Sequence, residues 1–206
     1  MKFYDVSMTI SPTMPVYKNR EAKKPKWIRS ATFEQNGVEE TDLQINLHTG
    51  THVDFPRHVS SGGKTSDDFD VASFVGDAVV VDCTAVKDAI QIADLAGAPI
   101  RIDDWVFLHT TSSDHATFDF DFPYLSAEAA KWLRDRKIRG VGIDALGIER
   151  GQTGHPAHHA LLDEGIFIIE GLRLKDIPAG RYRFVGAPLK IQGVEASLMR
   201  AFLFQE

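Results

Sequence analysis

The stretch HTGTHVDFPRH, His48–His58, packs three imidazoles and one carboxylate into eleven residues, with Gly50 and Pro56 between them. An extended reading puts His48, His52, Asp54 and His58 on one face, because strand side chains repeat with period two. Eleven extended residues span about 33 Å, too far for the end groups to meet at one ion. A helix would set His48 and His52 one turn apart, but the internal glycine and proline argue against it. The chain is therefore expected to bend at Gly50 and Pro56, and Gly50 leaves room for a close approach. Neutral imidazole and carboxylate suit zinc or manganese. A lone histidine is usually a satisfied polar group. His48, His52 and Asp54 on one bent segment read instead as part of a metal site.

Such a site needs ligands from elsewhere. His158 in GHPAHH and Glu170 at the end of IFIIE are the best distant candidates. A carboxylate ending an apolar strand is costly to bury unless it is paired or metal-bound. His155 and His159 compete with His158, and the residues alone leave open which imidazole turns inward. Trp27, Phe33, Phe55 and Phe69 stand in or near loops around the motif, equally suited to a pocket wall and to the core. His109 and His115, in FLHTTSSDHATF, add polar groups near a strand end without a clear role.

The chain around the motif is strand-rich. Strands are predicted in FYDVSMTI, TDLQINL, DAVVVDCT, DWVFLHT, GVGIDALGI, IFIIEGL, RYRFVGAPL and ASLMRAFLF. Short helices are expected in KDAIQIADLAG and HHALLDEG. A longer one is expected over AEAAKWLRDRKI, with Ser126 as N-cap, Glu128 in the first turn and Gly140 as its stop. A β-α-β alternation appears around Asp104–Ile143, without the glycine fingerprint of a dinucleotide site. The basic stretch YKNREAKKPKW, Tyr17–Trp27, reads more as a solvated loop than as a flap. The single cysteine, Cys83, lies in a strand and reads as a small buried residue.

With 206 residues and nothing resembling a linker, residues 1–206 are expected to form one domain. A formal charge of -6 gives no support to nucleic-acid binding. No apolar run approaches the roughly 20 residues that cross a bilayer, and no signal peptide is seen. One cysteine excludes an internal disulfide and fits a reduced cytoplasm.

The motif resembles the signature H-x-G-T-H-x-D-x-P-x-H of the cyclase-like metal-dependent hydrolases, a family that includes kynurenine formamidases and isatin hydrolases. Every fixed position is matched. YDVSMTISPTMPVY, FPYLSAEAAKWL, IRGVGIDALGIE and HHALLDEGIFIIEGLRL are also similar to family segments, so the likeness covers nearly the whole chain. It implies an α/β fold of the swivelling β/β/α kind, a β-barrel-like mixed-sheet core with peripheral helices. It implies two divalent ions, Zn2+ or Mn2+. His48, His52 and Asp54 would hold the first; Asp54 would bridge to a second, shared with His158; Glu170 would touch both. His58 would donate and accept protons. A homodimer or higher homo-oligomer and a small-molecule amide substrate are implied as well. Two departures stand out: GIDALGIE replaces the formamidase pattern GiDtpS, and Phe55 replaces a frequent alanine.

The expected activity is hydrolysis of an amide or cyclic amide C–N bond. Metal-bound hydroxide would attack the carbonyl, and His58 would pass a proton to the leaving nitrogen. The alternatives are a lactonase or dehydrating cyclase using the same metal site, and a non-catalytic metal- or metabolite-binding protein.

Overall fold

The eight predicted runs each contribute a strand, and four further strands join them. The computed structural model describes residues 1–205, with β1 (Lys2–Asp5), β2 (Lys26–Ala31), β3 (Glu40–Gln44), β4 (His52–Asp54), β5 (Val75–Asp82), β6 (Ala89–Ile90), β7 (Trp105–His109), β8 (Tyr124–Leu125), β9 (Gly140–Ile143), β10 (Phe167–Glu170), β11 (Gly180–Pro188) and β12 (Ala196–Gln205). The helices are α1 (Phe33–Asn36), α2 (Ile92–Leu95), α3 (Ala127–Asp135) and α4 (Pro156–Leu162). Ser126 caps α3 as expected, its hydroxyl accepting from the Ala129 N–H at 3.1 Å.

Seven strands close into a mixed barrel in the order β4-β10-β9-β7-β5-β11-β12, and β12 returns to β4. β5, β7, β9 and β10 are parallel neighbours; the pairings through β11, β12 and β4 are antiparallel. β1 extends the sheet on the edge of β12, beyond the segment that β4 occupies. The predicted β-α-β unit is β7-α3-β9, whose strands are adjacent and parallel.

Alternation sorts the side chains into two cores. Val53, Ala78, Val80, Trp105, Phe107, Phe167, Ile169 and Phe184 fill the barrel. Their neighbours Val79, Val81, Val106, Leu108, Val141, Ile143 and Ile168 point outward and pack under α3 and α4. β9 carries glycine at its inward positions because a Cβ at Gly140 would run into the Trp105 ring, and one at Gly142 into Phe107. Cys83 is buried, and burial pushes its thiol up to about 12.

Four expectations need correction. Gly140 does not stop α3: the helix ends at Asp135, Lys137 makes the turn with a positive φ of 54°, and Gly140 opens β9. The first strand ends at Asp5, after which only Ser7 bridges, to Leu172. TDLQINL is a strand only as far as Gln44, where β3 ends; β3 pairs with β2 in a hairpin whose strand residues are exposed apart from Ala31. The basic stretch is not wholly solvated, as described below. Among the described residues, no helix is long and apolar enough to cross a membrane.

Candidate metal centre

The register of β4 and β10 builds the site. Val53 points into the barrel, so His52 and Asp54 point out. On β10, Ile169 points in and Glu170 out, and Glu170 lies directly opposite His52. Three polar side chains thus leave one wall of the barrel toward the layer occupied by α4. Gly50 makes the expected bend with φ +73°, and Pro56 opens a tight turn, Pro56–His58. Glu170 is followed by Gly171, φ +71°, where any Cβ would collide with the Gly50 carbonyl. Thr51 ties these segments together. Its hydroxyl donates to the Gly171 carbonyl at 2.6 Å and accepts from the Met8 N–H at 2.8 Å.

All six residues singled out in the sequence meet here. His52 Nε2 is 3.5 Å from both Asp54 Oδ1 and Glu170 Oε2. His158 Nε2, projecting from α4, lies 3.6 Å from Glu170 Oε1 and 4.0 Å from Asp54 Oδ2. His48 Nδ1 lies 3.0 Å from Asp54 Oδ1, and its other ring nitrogen is 3.4 Å from Glu195 Oε1. The His58 ring packs against His48 at 4.3 Å and His158 at 5.5 Å between centroids. The residue is exposed on its outer side. His159 turns outward to Asp163 at 2.9 Å, and His155 is largely exposed, which settles the choice left open in GHPAHH.

The polar atoms of this cluster are incompletely partnered. Among the described residues, His52 Nε2 and both Asp54 carboxylate oxygens are buried without a hydrogen-bond partner. Unpaired buried polar atoms are rare and call for an explanation. His52 Nδ1 is fixed by the Gly50 carbonyl at 2.9 Å, so Nε2 carries the lone pair into the cluster. Burial alone would raise the Asp54 pKa, but the adjoining His52 and His48 imidazoles hold it below the usual carboxylate range. Burial likewise opposes ionisation of Glu170, and the neighbouring His158 and His52 together outweigh it. Burial pushes His58 down, against the pull of Asp54. Convergent imidazole nitrogens and anionic oxygens are the donor set that divalent zinc or manganese takes.

These features coincide with a family likeness. The Cyclase family model, described as "Putative cyclase", matches residues 4–150. The chain belongs to the Cyclase family. It is 35% identical over 207 residues to the kynurenine formamidase of Salinibacter ruber, covering 98% of this chain and 97% of that protein. A solved potential metal-dependent hydrolase with cyclase activity is 44% identical, with a TM-score of 0.91 over 100% of this chain and 98% of that one. Isatin hydrolase A from Labrenzia aggregata, bound to benzyl benzoate, is 27% identical, with a TM-score of 0.87 over 98% and 93% of the two chains. The barrel with few helices is therefore the cyclase-family fold, as the sequence resemblance implied.

In this cyclase-family chain two site features escape sequence reading. Glu149 accepts from the Ala157 N–H at 2.8 Å at the start of α4 and binds His158 Nδ1. That leaves His158 Nε2 aimed at Asp54 and Glu170. Burial would push His158 down, but Glu149 and Glu170 carry it up to about 10. The second is the wall facing the ligand cluster. The cleft, about 190 Å³, is lined by Tyr17, Arg20 and Lys23 together with His48, His58, His158 and Glu170. The four aromatic candidates are elsewhere. Phe55 and Phe69 stack and pack on Phe167, while Trp27 and Phe33 are exposed around the hairpin. His109 and His115 do not line the cleft either.

Proposed function

We propose that this protein is a metal-dependent amide hydrolase acting on small-molecule amides or cyclic amides, with the chain working as one catalytic domain. The observation that carries the reading is the convergence of His52 Nε2 and both Asp54 oxygens, buried and unpartnered, with Glu170 and His158. His48, His52 and Asp54 would hold one divalent ion and Asp54 and His158 a second, with Glu170 touching both; the ions would be zinc or manganese. Bound there, the ions supply Lewis-acid activation of water and of the carbonyl. The chain does the rest. Glu149 and the Gly50 carbonyl fix the tautomers of His158 and His52. Tyr17 and Leu146 wall the cleft. His58, free of a carboxylate partner at hydrogen-bond distance among the described residues and with its pKa pushed down, is available neutral to take a proton from water and deliver it to the leaving nitrogen. The relatives named above favour C–N over lactone chemistry.

The test combines elemental analysis with a panel of N-formylkynurenine, isatin, simple aryl amides, esters and lactones. Metal-loaded protein should hydrolyse at least one amide, and exhaustive chelation should abolish it. His58→Ala should keep its metal while kcat falls by about 10²–10⁴-fold. Full turnover in metal-free protein, or in the His58 variant, overturns the assignment. We also propose a homo-oligomer built on the β2–β3 hairpin. The hairpin exposes Trp27, Ile28 and Leu43, and pairs a basic strand with an acidic one, a self-complementary pattern. A single-chain mass in sedimentation equilibrium would exclude it.

A further inference from the structure

The segment Tyr17–Trp27 carries five basic residues up to Lys26, and the metal chemistry uses none of them. Lys24 pairs with Glu21 at 2.9 Å. Lys18 lies over the Tyr17 ring, 5.2 Å from its centroid, and does not line the cleft. Lys26 is on β2, outside the cleft. Arg20 and Lys23 remain. Both line the cleft with Tyr17, and neither has a carboxylate at ion-pair distance among the described residues. The position of Lys23 is built rather than incidental. Its carbonyl accepts from the Thr49 hydroxyl at 3.0 Å, tying it to the residue after His48. Its ammonium reaches over the same Tyr17 ring at 5.8 Å.

A half-buried ammonium without a counter-ion is unfavourable. Desolvation lowers the Lys23 pKa, and only the more distant charges of Glu170 and Asp54 pull it back. Those carboxylates are the residues assigned to divalent ions, whose charge would offset theirs. The remaining cleft carboxylate, Glu149, is bonded to His158, so among the described residues Lys23 faces the cleft without a carboxylate at ion-pair distance. We propose that Lys23, with Arg20 beside it, binds a carboxylate on the substrate, away from the scissile amide, and so selects anionic amides. This rests on the amide-hydrolase reading, which it sharpens to a substrate class. A charge-assisted hydrogen bond in a partly desolvated cleft supplies the discrimination.

The test compares 2-, 3- and 4-formamidobenzoate with the corresponding formamidobenzamides, which match their shape without the charge. Hydrolysis yields formate and the aminobenzoate or aminobenzamide. The metal-loaded protein should prefer at least one acid over its amide by about tenfold in kcat/KM. Lys23→Ala should lower that ratio by about tenfold, chiefly through KM; Lys23→Arg should restore most of it, and Lys23→Glu should invert it. Equal losses on charged and neutral substrates, or an unchanged ratio, overturn the proposal. Binding is measured separately by the fluorescence of 2-aminobenzoate on metal-loaded protein. Wild type should bind it more tightly than Lys23→Ala, with an affinity that falls as salt rises. That difference without turnover of any amide supports the carboxylate site and defeats the hydrolase reading. Equal binding by both proteins overturns the carboxylate site.

Discussion

Glu149 shows how one side chain prepares another. Its carboxylate receives the first free N–H of α4 and the His158 ring together, so the helix start and the imidazole are set by the same group. A ligand histidine commonly donates its second nitrogen to such a carboxylate, and loss of the partner typically weakens metal affinity by 10–100-fold. Glu149→Gln should therefore weaken metal binding by about that range while the fold persists, read by competition with a fluorescent chelator. Unchanged affinity would leave Glu149 with only its capping role. The histidines of the opening motif were legible because four functional groups fall within eleven residues. Glu149 was not, because its importance arises only when α4 brings His158 back over it. Lys23 was hidden for a similar reason: a run of lysines reads as solvated until the side chain facing a cleft is known. Phe55 was left open between pocket wall and core, since an aromatic beside a motif can turn into the barrel as easily as out of it; it turns in.

At the scale of elements, six of the seven barrel strands were readable as apolar runs; β4, three residues inside the polar motif, was not. Which face each run presented was not, because alternation identifies two faces without naming what covers them. β3 is the clearest instance: its pattern is that of a half-buried strand, yet among the described residues its only sheet partner is β2. The Gly140 error has the same root, since a glycine after a helix can end it or make room in the next strand. β1 is an edge element whose attachment depends on charge. Asp5 accepts from Arg200 of β12, with Nε at 2.9 Å, and this bond holds the Asp5 pKa below its ordinary 3.8. The folded form therefore binds fewer protons at Asp5 than the unfolded chain. Its stabilisation is complete above about pH 4 and is lost as pH falls through the lowered folded value. The pair is solvent-exposed, so the effect is modest. Urea unfolding at pH 7 and pH 3 should show a smaller acid loss in Asp5→Asn than in wild type. Equal losses would remove Arg200 from the attachment of β1.

Across the whole molecule, the metal cluster and the closure of the barrel are one feature. β4 is three residues long, yet it joins β10 to β12 and completes the ring, and two of its three side chains are His52 and Asp54. Without a cation, the closing strand carries a buried carboxylate with no hydrogen-bond partner beside a second carboxylate, Glu170. Metal binding should therefore stabilise the entire barrel. At a free metal concentration 100 times the dissociation constant, the gain is about 2.7 kcal/mol for one site. For a chain of this size that corresponds to a rise in Tm of about 5–10 °C. Thermal unfolding with zinc or manganese, against the same protein after chelation, measures it. Asp54→Asn supplies the control. It removes the carboxylate assigned to both ions, so added metal should produce little rise in its Tm. A wild-type Tm indifferent to metal, or an Asp54→Asn variant that still gains the full increment, would separate the ions from the closure of the barrel and withdraw Asp54 from the ligand set.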